Sequence, residues 1–148
     1  MDDPVMDVQE IADRLELGEL LARYVRAVDG GDWMLLDSVF TADALIDFSA
    51  SGGVRGDRDA VKRWLAEVLA AWPGRQHLIG AVTMTVDGDE ARVSASFADT
   101  LSPSRSTVAA TTPGFVRGGG WYHHRLVRTP DGWRSRELVQ EQCWRTIG

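Results

Sequence analysis

The chain changes its hydrophobic period once, near Trp72-Pro73-Gly74, and that change limits the folds open to it. Before this point apolar residues recur at helical spacing. Val8, Ile11, Leu15, Leu20, Leu21, Tyr24, Val25 and Val28 fall on one stripe. Gly30 and Gly31 end that helix, because glycine accepts the left-handed conformation of a helix exit. Asp32 is placed to cap a short second helix over Trp33 to Phe40, and Ala44 to Phe48 reads as a short strand. Asp57 caps a third helix with the stripe Val61, Trp64, Leu65, Val68 and Leu69.

After the break the period falls to two. His77 to Val86 runs to a turn at Asp87-Gly88, and Glu90 to Thr100 leads back. Ser102 to Gly114 is a long loop of small polar residues that suits a mobile cover. Trp121 to Arg128 and Trp133 to Glu141 form a hairpin across Pro130-Asp131-Gly132. Helices first and antiparallel strands after imply an α+β fold. The expected architecture is a cone-shaped barrel: a curved, mostly antiparallel sheet packed on three N-terminal helices, enclosing one pocket. Residues 1–148 read as a single domain, with no repeat or linker dividing them.

Charge and cysteine content remove several classes of function. A net charge of −6 opposes phosphate backbones, which argues against nucleic-acid binding. The lone Cys143 can form no intrachain disulfide and no multi-cysteine zinc site. The start MDDPVMDV lacks the features of a secretion signal, and no apolar run approaches the roughly 20 residues that span a bilayer. A cytoplasmic protein with no membrane partner is expected.

Five polar residues are candidates for chemistry. Asp29 sits at a helix C-terminus, where the macrodipole is already negative; it is either a turn aspartate or held for a purpose. Tyr24 lies in the apolar stripe as a core ring or a pocket donor. His77 opens a strand, and histidine as a residue type can accept or donate a proton, so it is either a general base or a strand-end histidine. Asp99 shares strand parity with Val93, Ala95 and Phe97, so it faces inward unless the strand ends or bulges first. Of His123 and His124, at most one points inward. No His and carboxylate spacing matches a metal motif.

The segments RYVRAVDGGDW, ALIDF, GRQHLIG and WYHHRLVRTPDGW resemble the SnoaL-like branch of the nuclear-transport-factor-2-like superfamily. The likeness runs from about Ile11 to Trp144 and extends to bile-acid 7α-dehydratase and scytalone dehydratase. It implies catalytic roles for His77, Asp29, Tyr24 and Asp99. His77 would take the acidified proton while Asp29 fixes its tautomer. Tyr24 would donate to the carbonyl oxygen, and Asp99 would help the hydroxyl depart. Phe48 stands where scytalone dehydratase has a tyrosine and ketosteroid isomerases a general base, and Thr100 or Leu101 where scytalone dehydratase has a second histidine. These are departures from the patterns. His123 falls near a polar pocket position. Phe48, Trp64, Phe97, Trp121 and Phe115 could wall the pocket.

The activity implied is a cofactor-independent lyase that removes water from a cyclic, steroid-like or polyketide-derived carbonyl compound. Its substrate would be a small apolar ring-containing molecule. Neither a metal nor a cofactor is called for, and the assembly would be a trimer or dimer of this chain. An isomerase or cyclase on the same scaffold, or a binding domain without catalysis, are the other readings.

Overall fold

The computed structural model describes residues 5–105 and 114–148. Helix α1 (Val8–Gly30) is capped by Asp7, whose carboxylate accepts from the Glu10 N–H at 2.8 Å. Asp32 caps a 3₁₀ helix, Trp33–Ser38, by accepting from the Leu35 N–H. Strands β1 (Phe40–Asp47) and β2 (Arg55–Gly56) follow, and then α2 (Arg58–Leu69), which Asp57 caps at its Ala60 N–H. The rest is strand: β3 (Gly74–Asp87), β4 (Glu90–Ser102), β5 (Val116–Thr129) and β6 (Gly132–Ile147).

Among the described residues these strands make one mixed sheet in the order β2-β1-β6-β5-β4-β3. Only β1 and β6 run parallel; every other neighbour is antiparallel. The three helices pack on this sheet, as the change of period implied, but the cone is open and has β2 and β3 as its edges. Register shifts at Ile79/Val82, Gly119/Gly120 and Arg125/Leu126 mark bulges, which bend strands and increase their twist. The second helix is shorter than expected, since Val39 closes it and Phe40 already pairs with Ser135. β6 runs six residues beyond the expected end at Glu141. Most of the proposed covering loop, residues 106–113, lies outside the described residues. Among the described residues no helix is long and apolar enough to cross a membrane.

One apolar cluster joins helices to sheet, with Leu17, Leu20, Leu36, Phe40, Ile46, Leu126, Trp133 and Leu138 fully enclosed. The first half of α1 corrects the expected stripe. Val8 and Leu15 are 83% and 67% exposed, whereas Asp13 is only 3% exposed. The inward face there is committed to an ion pair. Asp13 takes Arg128 Nη1 at 2.7 Å and Nη2 at 2.9 Å, Trp133 Nε1 at 3.1 Å and Gln9 Nε2 at 3.0 Å. The guanidinium also lies over the Trp133 ring, 4.6 Å from its centre. Hydrogen bonds from Arg128 hold the Asp13 carboxyl well below its ordinary range despite burial.

His124 is the inward member of its pair. Its Nδ1 lies 2.8 Å from Ser135 Oγ, whose own hydrogen goes to the Glu137 carbonyl, so Nδ1–H donates and Nε2 carries the lone pair. Nε2 is buried without a partner, and burial pushes the imidazole down to about 3.

Asp13→Ala leaves a cation against the core and is expected to cost about 3 kcal/mol in urea unfolding; an unchanged midpoint would contradict the role given to the pair. The folded His124 pKa lies below its unfolded 6.5. Its stability contribution is therefore complete above that pH and declines as pH falls toward 3. His124→Phe is expected to flatten the upper part of the acid limb of a stability–pH profile, leaving the part due to Asp13 below it.

Candidate active site

α1 ends in a way that holds a carboxylate beside the sheet. Gly31 is left-handed at φ 67°, and its N–H closes on the Ala27 and Val28 carbonyls. A side chain there would be strained and would come within 3.1 Å of Arg75 Nη2. Neither α1 nor α2 has a basic residue in its last turn. Arg75 of β3 supplies the missing positive charge to both. Its Nε donates to the Val28 carbonyl at 2.8 Å, and its Nη1 to those of Leu69 at 3.3 Å and Trp72 at 3.1 Å. Burial lowers the guanidinium's pKa while the nearby Asp29 charge raises it.

Two residues further along β3, His77 faces inward and is 8% exposed. Asp29 grips it twice. The His77 N–H donates to Asp29 Oδ2 at 2.8 Å, and Nδ1 lies 2.6 Å from Oδ1. A carboxylate there selects the Nδ1–H tautomer and leaves Nε2, turned to the cavity, as the basic nitrogen. Across the β3–β4 ladder His77 is paired with Asp99, whose Oδ2 lies 3.6 Å from Nε2. Asp99 therefore faces inward with Val93, Ala95 and Phe97, as strand parity requires.

The pairing continues across the sheet, from Asp99 to Gly118 of β5 and on to Arg145 of β6. A Cβ on Gly118 would lie 2.7 Å from Gln142 Nε2 and 3.1 Å from Asp99 Oδ1, so its absence opens space beside both. The space is a cavity of about 210 Å³ lined by Tyr24, His77 and Asp99, by Phe48, Trp64 and Val68, and by Tyr122, Gln140 and Gln142. Phe48 and Trp64 stack at 5.6 Å to form an apolar wall. Arg145, exposed and donating to the Ser51 carbonyl at 3.2 Å, stands at its rim.

Tyr24 meets Tyr122 edge to face, with ring centres 5.3 Å apart. Burial raises the pKa of both phenols, and the Asp99 and Asp29 charges add to it. Both stay protonated at neutral pH and serve as donors.

Tyr24, His77, Asp99 and Asp29 are thus brought together, with Phe48 and Trp64 beside them. Four expected lining residues are elsewhere. Phe97 is buried beneath Tyr122, stacked at 4.1 Å. Trp121 and His123 point to the opposite face of β5, where His123 binds Glu141 and Ser94 at 2.8 Å each. Tyr122 and His124 occupy the inward positions instead. Phe115 lies at the start of β5, pairing through its backbone with Gly148.

Tyr122, Gln140, Gln142 and Arg145 were not anticipated. Alternation around Leu126 could have revealed Tyr122. The two glutamines were hidden by a bulge. Arg125 pairs with Glu137 but Leu126 pairs with Ser135, so Arg136 is extra. The buried positions shift from Trp133 and Ser135 to Leu138 and Gln140. Among the described residues no group of three or more His, Cys, Asp or Glu is arranged to hold a metal ion.

Residues 9–139 match the family model described as SnoaL-like domain. The chain is 38% identical over 147 residues to an uncharacterised protein of Mycobacterium tuberculosis, covering 99% of this chain and 97% of the relative. A solved protein of Kribbella flavida superposes with a TM-score of 0.82 at 26% identity, covering 93% of this chain and 95% of that one. A scytalone dehydratase candidate of Novosphingobium aromaticivorans gives 0.78 at 18% identity, covering 95% and 91%; at that identity the likeness speaks for the fold.

The Asp29 contact makes the tautomer of His77 a direct measurement. Nitrogen-15 spectra near neutral pH are expected to show the proton on Nδ1; a ring protonated on Nε2 alone would contradict this geometry.

Proposed function

The chain belongs to the SnoaL-like domain family, and from that premise we propose that it is a cofactor-independent dehydratase acting on a small cyclic ketone. The observation that carries this reading is the line Asp29–His77–Asp99. It places an oriented base, open at Nε2, 3.6 Å from a second proton-carrying group.

His77 Nε2 takes the proton next to the carbonyl, and the electron pair moves toward the carbonyl oxygen. Tyr24 donates a hydrogen bond to that oxygen as charge develops, and Tyr122, edge to face with it, packs the phenol in place. The imidazolium's proton passes through the Asp99 carboxylate, 3.6 Å from Nε2, to the hydroxyl β to the carbonyl; the enolate's electron pair returns to the ring as the C–O bond breaks, and one water is released. Base and acid are on one wall, which favours removal of proton and hydroxyl from the same face of the ring.

Two observations narrow the substrate. A cavity of about 210 Å³ is smaller than those of drug-sized ligands, which run roughly 300–1,000 Å³, so one or two rings fit better than a four-ring steroid. At Phe48 the wall is a ring stacked on Trp64, which offers no base for a steroid-isomerase mechanism. Within the structural neighbourhood, the scytalone dehydratase candidate has the same fold and lends the reaction class plausibility by analogy alone.

A panel of cyclic β-hydroxy ketones incubated with the protein is expected to give a product lighter by one water. His77→Ala should lower kcat by about 10²–10⁴-fold, and Tyr24→Phe by about 10²-fold. A product of unchanged mass would favour an isomerase or cyclase. Turnover indifferent to His77→Ala and Asp29→Asn would defeat the mechanism.

A further inference from the structure

Among the described residues, Gln140 alone both lines the cavity and carries a buried side-chain polar atom without a partner, its Oε1. The residue is 8% exposed. A buried amide oxygen is ordinarily paired, because leaving it dry forfeits its hydration with nothing in return.

The neighbouring donors leave it unmet. Tyr122 stands opposite Gln140 on the β5–β6 ladder, yet its hydroxyl makes no hydrogen bond to Oε1. Gln142, two residues along, spends its Nε2 on the carbonyls of Gly119 at 3.3 Å and Trp144 at 2.8 Å. The bulge at Arg136 turns Gln140 inward, so its side chain lines the cavity. Oε1 is closed to solvent as it stands, so a donor bound in the cavity meets it with a turn of the Gln140 terminal amide.

We propose that Gln140 is the specificity-determining residue of this site, accepting a hydrogen bond from a ring hydroxyl of the substrate. This rests on the reading of the cavity as a cyclic-ketone site and adds a second polar anchor to it. Tyr24 takes the carbonyl, Gln140 takes the hydroxyl, and the stacked Phe48 and Trp64 cover the ring between. The substrate class is then a one- or two-ring ketone bearing a phenolic or enolic hydroxyl, a pattern of oxygenation typical of folded polyketides. The same ring with that oxygen methylated has no donor and leaves Oε1 dry. Sites built around a buried polar group reject such analogues more strongly than an apolar pocket rejects a change of size.

Equilibrium binding of a hydroxytetralone and of its methyl ether tests this without requiring turnover. The wild-type protein is expected to prefer the free hydroxyl by roughly tenfold in Kd, the equivalent of one hydrogen bond. Gln140→Met has the same length and no comparable acceptor; it should erase the preference while leaving affinity for the ether nearly unchanged. Gln140→Glu retains an acceptor and should keep the preference, and Gln140→Asn, which draws the amide back by one carbon, should lose it. That second loss stands in for Gln140→Met if the methionine variant does not fold. A preference that survives in Gln140→Met and Gln140→Asn overturns the assignment, as does equal affinity of the wild type for both ligands. Binding of neither ligand overturns the substrate class. Because the readout is binding, a preserved hydroxyl preference without dehydration counts against the lyase and not against Gln140. Dehydration with a preference indifferent to Gln140 counts the other way.

Discussion

A carboxylate at the last turn of a helix meets carbonyl groups that already carry partial negative charge, so Asp29 must be compensated from outside α1. β3 does this with two residues. His77 offers Asp29 its backbone N–H and Nδ1, and Arg75 donates to the helix-terminal Val28 carbonyl beside it. Arg75 also reaches the Leu69 and Trp72 carbonyls at the end of α2. The exits of both helices and the start of β3 are therefore one joint. The direction in which His77 presents Nε2 follows from it, because Asp29 holds both ring and backbone.

The sheet extends that joint into a site. His77, Asp99, Gly118 and Arg145 are successive partners across four strands, so their spacing is set by the ladder. A row of this kind would ordinarily be packed solid. Here Gly118 omits a side chain, which leaves space between Asp99 and Gln142, and the register shift at Gly119/Gly120 falls beside it. At the other end of the sheet the Asp13–Arg128 pair, backed by Trp133, fastens α1 where its apolar residues face outward.

The order of helices and strands could be read from period alone, and so could the caps Asp32 and Asp57, because both signals are local. Asp99 was also legible, since Val93, Ala95 and Phe97 run to it without interruption. The errors have a common origin in contacts that sequence neighbours do not contain. Val8, Ile11 and Leu15 have the spacing of a buried stripe, yet Arg128, distant in the chain, turns Asp13 inward in their place. Trp121 and His123 are the more conspicuous residues of their strand, but parity counted from Leu126 assigns the cavity to Tyr122. Gln140 and Gln142 were out of reach of any count from Trp133, because the bulge at Arg136 reverses it. Asp29 and His77 each looked ordinary alone, and their pairing depends on an approach between segments 48 residues apart.

Charge decides which group of the proposed pair acts as base. An enolate formed in the cavity is negative, and the phenols that face it are protonated, so their contribution is by hydrogen bonding. If Asp99 took the proton, it would lose the charge it can use to stabilise its neighbours. If His77 takes it, the new imidazolium lies between two carboxylate groups, with Nδ1 2.6 Å from Asp29 and Nε2 3.6 Å from Asp99. The positive charge that develops on the ring is stabilised from both sides, as the aspartate of a catalytic triad stabilises its histidine from one. The same imidazolium is next to Asp99, the group that passes its proton to the departing hydroxyl. An arrangement that lowers the cost of removing the proton also returns it, and this couples the two halves of an elimination without a further residue.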